Sequence, residues 1–161
     1  MDSGTRMADT LGSLCDKLTI VKLKQWHTGD PERLKSLENQ ERQLQEEIDG
    51  FVAGAITGAI PPQRLTFAAN KIYKQEGNVV ADVHGTIGQV YSQLALVNCS
   101  LWHEQEKVYD FEAVPAGEKD ALVKKLAHLN LERNKCIDEI DRLLRAAVER
   151  QDPASTSKRS S

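Results

Sequence analysis

The stretch 80–108, VADVHGTIGQVYSQLALVNCSLWHEQEKV, decides the fold. Val80, Val83, Ile87, Val90, Leu94, Val97, Leu101, Glu104 and Val108 recur at alternating spacings of three and four, and only Glu104 breaks the apolar stripe. Its Val and Ile content alone would suit a strand. A strand needs period 2, however, and that period fails across the whole stretch. The spacing predicts an amphipathic helix from about 79 to 110, about 48 Å long at 1.5 Å per residue. Gly85 and Gly88 weaken its first third by roughly 1 kcal/mol each relative to Ala, which points to a kink or a close helix contact there.

Three other segments carry the same rhythm. The first, about 8–28, places Leu11, Leu14, Leu18, Val21 and Gln25 on one face. The second opens at Asp30-Pro31, an acceptor for free amides followed by a residue with preset φ, and aligns Leu34, Leu37, Glu41, Leu44, Ile48, Phe51 and Ala55. The last runs from Pro115 to about 149 through Leu122, Leu126, Leu129, Arg133, Cys136, Ile140, Leu143 and Ala147. Two glycines and Pro61-Pro62 end the second helix, and 63–75 reads as a short linking helix. The expected fold is all-α: an antiparallel four-helix bundle of coiled-coil-like seams plus a short linking helix. Its domain spans 8–150, with hairpins at about 8–56 and 79–150, a flexible N-terminus at 1–7 and a disordered tail at 151–161.

The two hairpins read as copies of one unit. A shift of 76 residues lays Leu18, Val21, Trp26 and His27 on Leu94, Val97, Trp102 and His103. A shift of 92 lays Leu34, Leu37, Glu47, Ile48 and Asp49 on Leu126, Leu129, Glu139, Ile140 and Asp141. Convergent amphipathic patterning explains the Leu and Ile matches equally well. The Trp-His pair resists that explanation, because the chain has only two Trp and His follows both.

Composition narrows the function. Lys plus Arg is 21 against 24 for Asp plus Glu, a formal charge of −3, so no overall field favours nucleic acid. No apolar run reaches the roughly 18 to 20 residues of a membrane span. No basic and apolar leader opens the chain, and Cys15, Cys99 and Cys136 are odd in number and widely spaced. A cytoplasmic protein with buried, unbridged thiols is expected. None of His27, His84, His103 and His128 has Glu three residues before it, and none has a second ligand at zinc spacing, so neither a metal nor any cofactor is expected. Phosphate-binding glycine loops and nucleophile elbows are missing.

What remains are polar residues beside the seams. Glu41 and Arg133 occupy matching stripe positions with opposite charge. They are candidates for a buried pair that fixes register, unless each reaches solvent at the stripe's edge. Trp26 and Trp102 flank the core, and His27 and His103 point away from it. His27, near a helix C-terminus, suits a capping role, and His103 could join Glu104 and Glu106 in a polar site. Asn130, Arg133, Asn134 and Asp141 form a polar band along the last helix, either a surface network or a groove for a partner or ligand.

The segments Leu101-Trp102-His103-Glu104-Gln105-Glu106 and Leu129-Asn-Leu-Glu-Arg-Asn-Lys-Cys-Ile-Asp-Glu-Ile-Asp141 resemble a family of small bacterial all-α proteins of unknown function. That family carries a Trp-His segment and a later Asn-x-x-Arg-Asn-x-x-Ile-Asp-like segment, and the likeness covers about half the chain. This chain departs from it in having Glu106 where the family tends to show an acidic pair closer to the His. The resemblance implies a helical fold and marks Trp102, His103, Asn130, Arg133, Asn134 and Asp141. It implies no activity, and only a faint link to envelope polysaccharide genes. The expected role is a non-enzymatic helical interaction or scaffold protein, self-associating or bound to a protein partner. The alternative is a bundle that binds or converts a small ligand at a polar site drawn from Trp26, His27, Trp102, His103, Glu106, Asn130, Arg133, Asn134 and Asp141. Convergence of His103, Arg133, Asn134 and Asp141 on one cavity would favour the alternative.

Overall fold

Three of the four long helices start at side-chain caps. In the computed structural model, which describes residues 8–67 and 80–151, Thr10 opens α1 (Leu11–His27) with a capping box shared with Ser13. The Asp30 carboxylate accepts from the Glu32 amide and Pro31 fills the first turn of α2 (Pro31–Thr57). Thr86 and Gln89 make a second capping box at the start of α3 (Ile87–Tyr109). The longest helix, α4 (Lys119–Gln151), follows two short 3-10 turns at Phe111–Ala113 and Ala116–Glu118. Among the described residues there is no strand, and the four helices pack as an antiparallel all-α bundle.

Several boundaries differ from the expected ones. The helix expected from about 79 begins only at Ile87, and 80–86 is non-helical. Gly85 has φ 142°, a conformation closed to most side chains, and the Thr86 box stops the helix from growing backwards. Val83 is nevertheless buried, so the stripe reports burial correctly there while misreporting the backbone. The start expected at Pro115 falls at Lys119 for a similar reason: the 3-10 turn at Ala116–Glu118 intervenes. Gln151, assigned to the tail, is the last residue of α4. Of the linking helix at 63–75, the described part is a 3-10 turn at Pro62–Arg64 followed by non-helical chain. The rest lies outside the described residues, as do the expected flexible N-terminus at 1–7 and the tail at 152–161.

The core gathers Leu11 and Cys15 from α1, Val90 and Leu94 from α3, and Cys136, Ile140 and Leu144 from α4. Ala55 of α2 joins it, with Leu65 and Val83 from the connecting chain. The helices do not share this core equally. The closest packing is α3 on α4 and α1 on α2, and α1 also meets both α3 and α4, whereas α2 leans almost wholly on α1. Only Leu37 and Ala55 of α2 are buried. The left-handed Gly58 (φ 84°) ends α2 and turns the chain back, so that Ile60 packs on the bare face of Gly54. Among the described residues no helix is long and apolar enough to cross a membrane.

Candidate functional site

Where α1, α3 and α4 meet, the core contains charge. Asp16 of α1 is buried, and both its oxygens are used. Oδ1 accepts from Arg133 Nε of α4 at 2.8 Å and from Asn98 Nδ2 of α3 at 2.9 Å, while Oδ2 accepts from Arg133 Nη2 at 2.5 Å. This two-pronged contact holds the Arg133 guanidinium protonated even more firmly than usual, against the opposing effect of burial. Two turns along α4, Asp141 is only 1% exposed and accepts the Gly12 amide at 2.7 Å. A carboxylate from the second hairpin thus satisfies a free amide in the first turn of the first helix.

The Asp141 carboxyl is pushed up to about 6, first by burial and then by the Asp138 charge, against the Thr10 hydroxyl and the Gly12 amide. Asp141 Oδ2 and Asn98 Oδ1 are buried without a hydrogen-bond partner among the described residues. Burial raises the thiols of Cys15 and Cys136 to about 11, with Asp141 and Asp16 adding to the first and Glu132 to the second. Both are therefore protonated at neutral pH and poor nucleophiles. Cys99, expected to be buried with them, is exposed.

A second polar contact ties α3 to α4. Buried Glu104 accepts from Lys125 Nζ at 2.8 Å and Lys107 Nζ at 3.1 Å. The bond to Lys125 holds its carboxyl below the usual carboxylate range, burial opposes this, and Lys107 adds to it.

The residues singled out in the sequence divide into three groups. Arg133 and Asn134 line one cleft of about 310 Å³ with Asp16, Thr10 and Ser13, and Asp141 is buried near it. His27 and Trp102 meet at the far end of the hairpins, stacked with ring centroids 4.7 Å apart, and Trp102 Nε1 donates to Glu106 at 3.0 Å. The His27 ring bonds the Leu23 carbonyl through Nδ1 at 2.8 Å, as the capping role required. The third group stands apart. Trp26 does not flank the core but is 85% exposed, Asn130 bonds back to the Leu126 carbonyl, and His103 is exposed. His103 does not line the cleft of Arg133 and Asn134, and its neighbours Glu104 and Glu106 are engaged with Lys125 and Trp102. The convergence that a polar reaction site would need is therefore incomplete.

The expected Glu41–Arg133 pair is not formed. Glu41 accepts from Lys22 at 2.8 Å and Gln25 at 2.9 Å, and these bonds hold its carboxyl low. The reason is the asymmetric packing: α2 lies on α1, so Glu41 meets α1 side chains and never reaches α4. Sequence reasoning missed Asp16, Asn98 and Gly12. Asn98 carried a usable signal, as a lone amide between Leu94-Ala-Leu-Val97 and Leu101.

No family model matches the chain, and no solved structure matches it. Over 116 residues, 71% of its length, it is 35% identical to the kinetochore-associated protein rod-1 of Caenorhabditis elegans. Those residues make up 5% of that protein, so the chain spans about a twentieth of the length of the curated relative it matches.

Proposed function

We propose that the chain is a non-enzymatic helical interaction protein, a scaffold that presents α2 and the turn before it to a protein partner or to a second copy. One observation carries this reading. The N-terminal half of the α2 stripe is covered almost wholly by α1, leaving Leu34 36% exposed in the first turn, and Trp26 stands in solvent at the same end of the hairpin. A large exposed aromatic beside an incompletely covered stripe is the surface that interfaces bury. The buried polar groups support it from the other side. They hold α1, α3 and α4 in register, and Asp141, the one carboxyl among the described residues raised toward neutrality, is sealed from solvent. Service within a larger assembly, as the name of the nematode protein describes for itself, is the role such a module would fill.

The finer expectations stand beside this as proposals. A cytoplasmic setting suits the unbridged thiols. The likeness to the bacterial helical family rests on the Trp-His and Asn-x-x-Arg-Asn segments. Descent of the two hairpins from one unit draws support from their polar contacts: the shifts of 76 and 92 carry the Lys22–Glu41 contact onto Asn98 and Arg133, which meet through Asp16.

The second reading, small-ligand binding at Arg133, Asn134 and Asp141, is favoured by the two unpartnered oxygens of Asn98 and Asp141. Native mass measurement separates the two. A dimer or co-purified protein that is lost in Trp26→Ser with Leu34→Gln, with helix content unchanged, supports the scaffold. A strict monomer that retains a bound small molecule refutes it.

A further inference from the structure

The turn between α1 and α2 frames a cleft of about 660 Å³, within the size range of small-ligand sites. Lys24 and His27 lie three residues apart on the last turn of α1, hence on one face, and Arg33 enters from the first turn of α2. Trp102 of α3 forms the floor, with His27 stacked on it. Across the rest of the surface Lys17, Lys22, Lys107, Lys125, Arg142 and Arg145 each find a carboxylate. Lys24 and Arg33 have no ion pair or hydrogen bond among the described residues. The acid on the rim, Asp30, is turned to its own helix and accepts the Glu32 amide at 3.1 Å. The His27 ring is oriented as well. A carbonyl only accepts, so Nδ1 donates to Leu23, and Nε2, on the other side of the ring, can donate to an anion's oxygen only in the doubly protonated ring.

We propose that this cleft binds a phosphate group, with Arg33 and Lys24 as its cationic partners, His27 Nε2 at its edge and Trp102 beneath it. A planar guanidinium and a mobile ammonium brought from two helices onto one concave surface match the several oxygens of a phosphate. What sets Lys24 and Arg33 apart from other uncompensated cations of the described surface, such as Lys35 and Lys124, is that they line one concave surface together, where an anion would supply the counter-charge. The site shares the α1–α2 turn with the proposed partner surface but does not rest on that reading, since it needs neither a partner protein nor the exposed face of Trp26.

The chain has two Trp, so Trp26→Phe leaves Trp102 as the sole reporter. Fluorescence of that variant is titrated with inorganic phosphate, with pyrophosphate and with vesicles containing phosphatidic acid, against sodium chloride at equal ionic strength. A saturable change with free phosphates or with vesicles, about tenfold weaker when Lys24→Gln and Arg33→Gln are added, is the expected result. Which of the two sources binds identifies the origin of the phosphate. A response that does not saturate, or that chloride reproduces, means an adventitious ion only and overturns the proposal, as does binding that survives both substitutions. Chemical shifts of the unsubstituted protein give a readout that no folding defect can confuse. Phosphate-dependent shifts concentrated at 24–33 and the Trp102 indole support the site, and shifts centred elsewhere, or none, refute it.

Discussion

Replacing Gly12 with Ala tests whether α1 and α4 are held together as closely as the structure has them. In most helices the change adds stability, about 1 kcal/mol, because Ala restricts the unfolded chain and shields the helix backbone. Here a Cβ would lie 2.4 Å from the Ile137 carbonyl oxygen and 2.9 Å from Asp141 Oδ1. Ordinary carbon–oxygen contact is about 3.4 Å, so the helices must part by about 1 Å, and the Ile137 atom is backbone that cannot rotate away. Overpacking of this kind costs about 1–3 kcal/mol. The same movement stretches the 2.7 Å bond from the Gly12 amide, leaving a buried acceptor short of its donor at about 1–3 kcal/mol more. Against the gain of about 1 kcal/mol, the net expectation is a loss of about 1–5 kcal/mol. Urea unfolding followed by circular dichroism measures it, with Gly50→Ala as the control, since a Cβ at Gly50 meets nothing within 4 Å and should stabilise α2. If Gly12→Ala is as stable as the parent, or more so, the close crossing of α1 and α4 is wrong.

Three further outcomes are expected. Asp141 gives stability a distinctive pH dependence: its folded pKa of about 6 lies above the ordinary value, so the unfolded chain ionises first and stability falls as pH rises from about 4 to about 6. Glu104, held low, works in the opposite sense and costs stability as pH falls below the usual carboxylate range. Asp141→Asn should flatten the first slope and leave the second, as read by urea midpoints across that interval, and an unchanged slope counts against burial of this carboxyl. Asp16→Ala should cost about 2–4 kcal/mol by stranding Arg133 and Asn98, while Asp16→Ala with Arg133→Met should recover at least half of it. Strictly additive losses in that cycle would mean the pair is not coupled. Finally, a thiol reagent at neutral pH should modify Cys99 rapidly and reach Cys15 and Cys136 only at the rate of unfolding, and three equally fast thiols would contradict the core.

How far the sequence could be read turns on what periodicity measures. It reports which positions are hidden, and Val90, Leu94 and Ile140 are hidden where the rhythm put them. Val83 shows the limit. It keeps its place in the stripe and its burial, but its backbone is not helical, because a positive φ at Gly85 and the Thr86 cap act over one turn while the stripe is counted over several. Partners are harder still. Arg133 was legible as an anomaly on an apolar stripe, and its burial against other helices followed. The choice of Asp16 over Glu41 did not, because that choice depends on whether α2 faces α4 across the bundle or rests on α1. Both arrangements hide the same leucines to first order, so no count of apolar positions separates them. What separates them is the set of small residues that allows α1 to lie against α4. Gly12 accepts the Ile137 carbonyl against its bare Cα, and Cys15 and Cys136 share the resulting core. Once that crossing is made, α1 occupies the space α2 would need to reach Arg133. The Asp16 carboxylate then faces α4 and the Asp141 carboxylate faces α1 from within, and the Trp-His segments are left to the ends. The buried contacts of Asp16 and Asp141 are thus consequences of one close approach, and the exposed side of α2 is what that approach leaves uncovered.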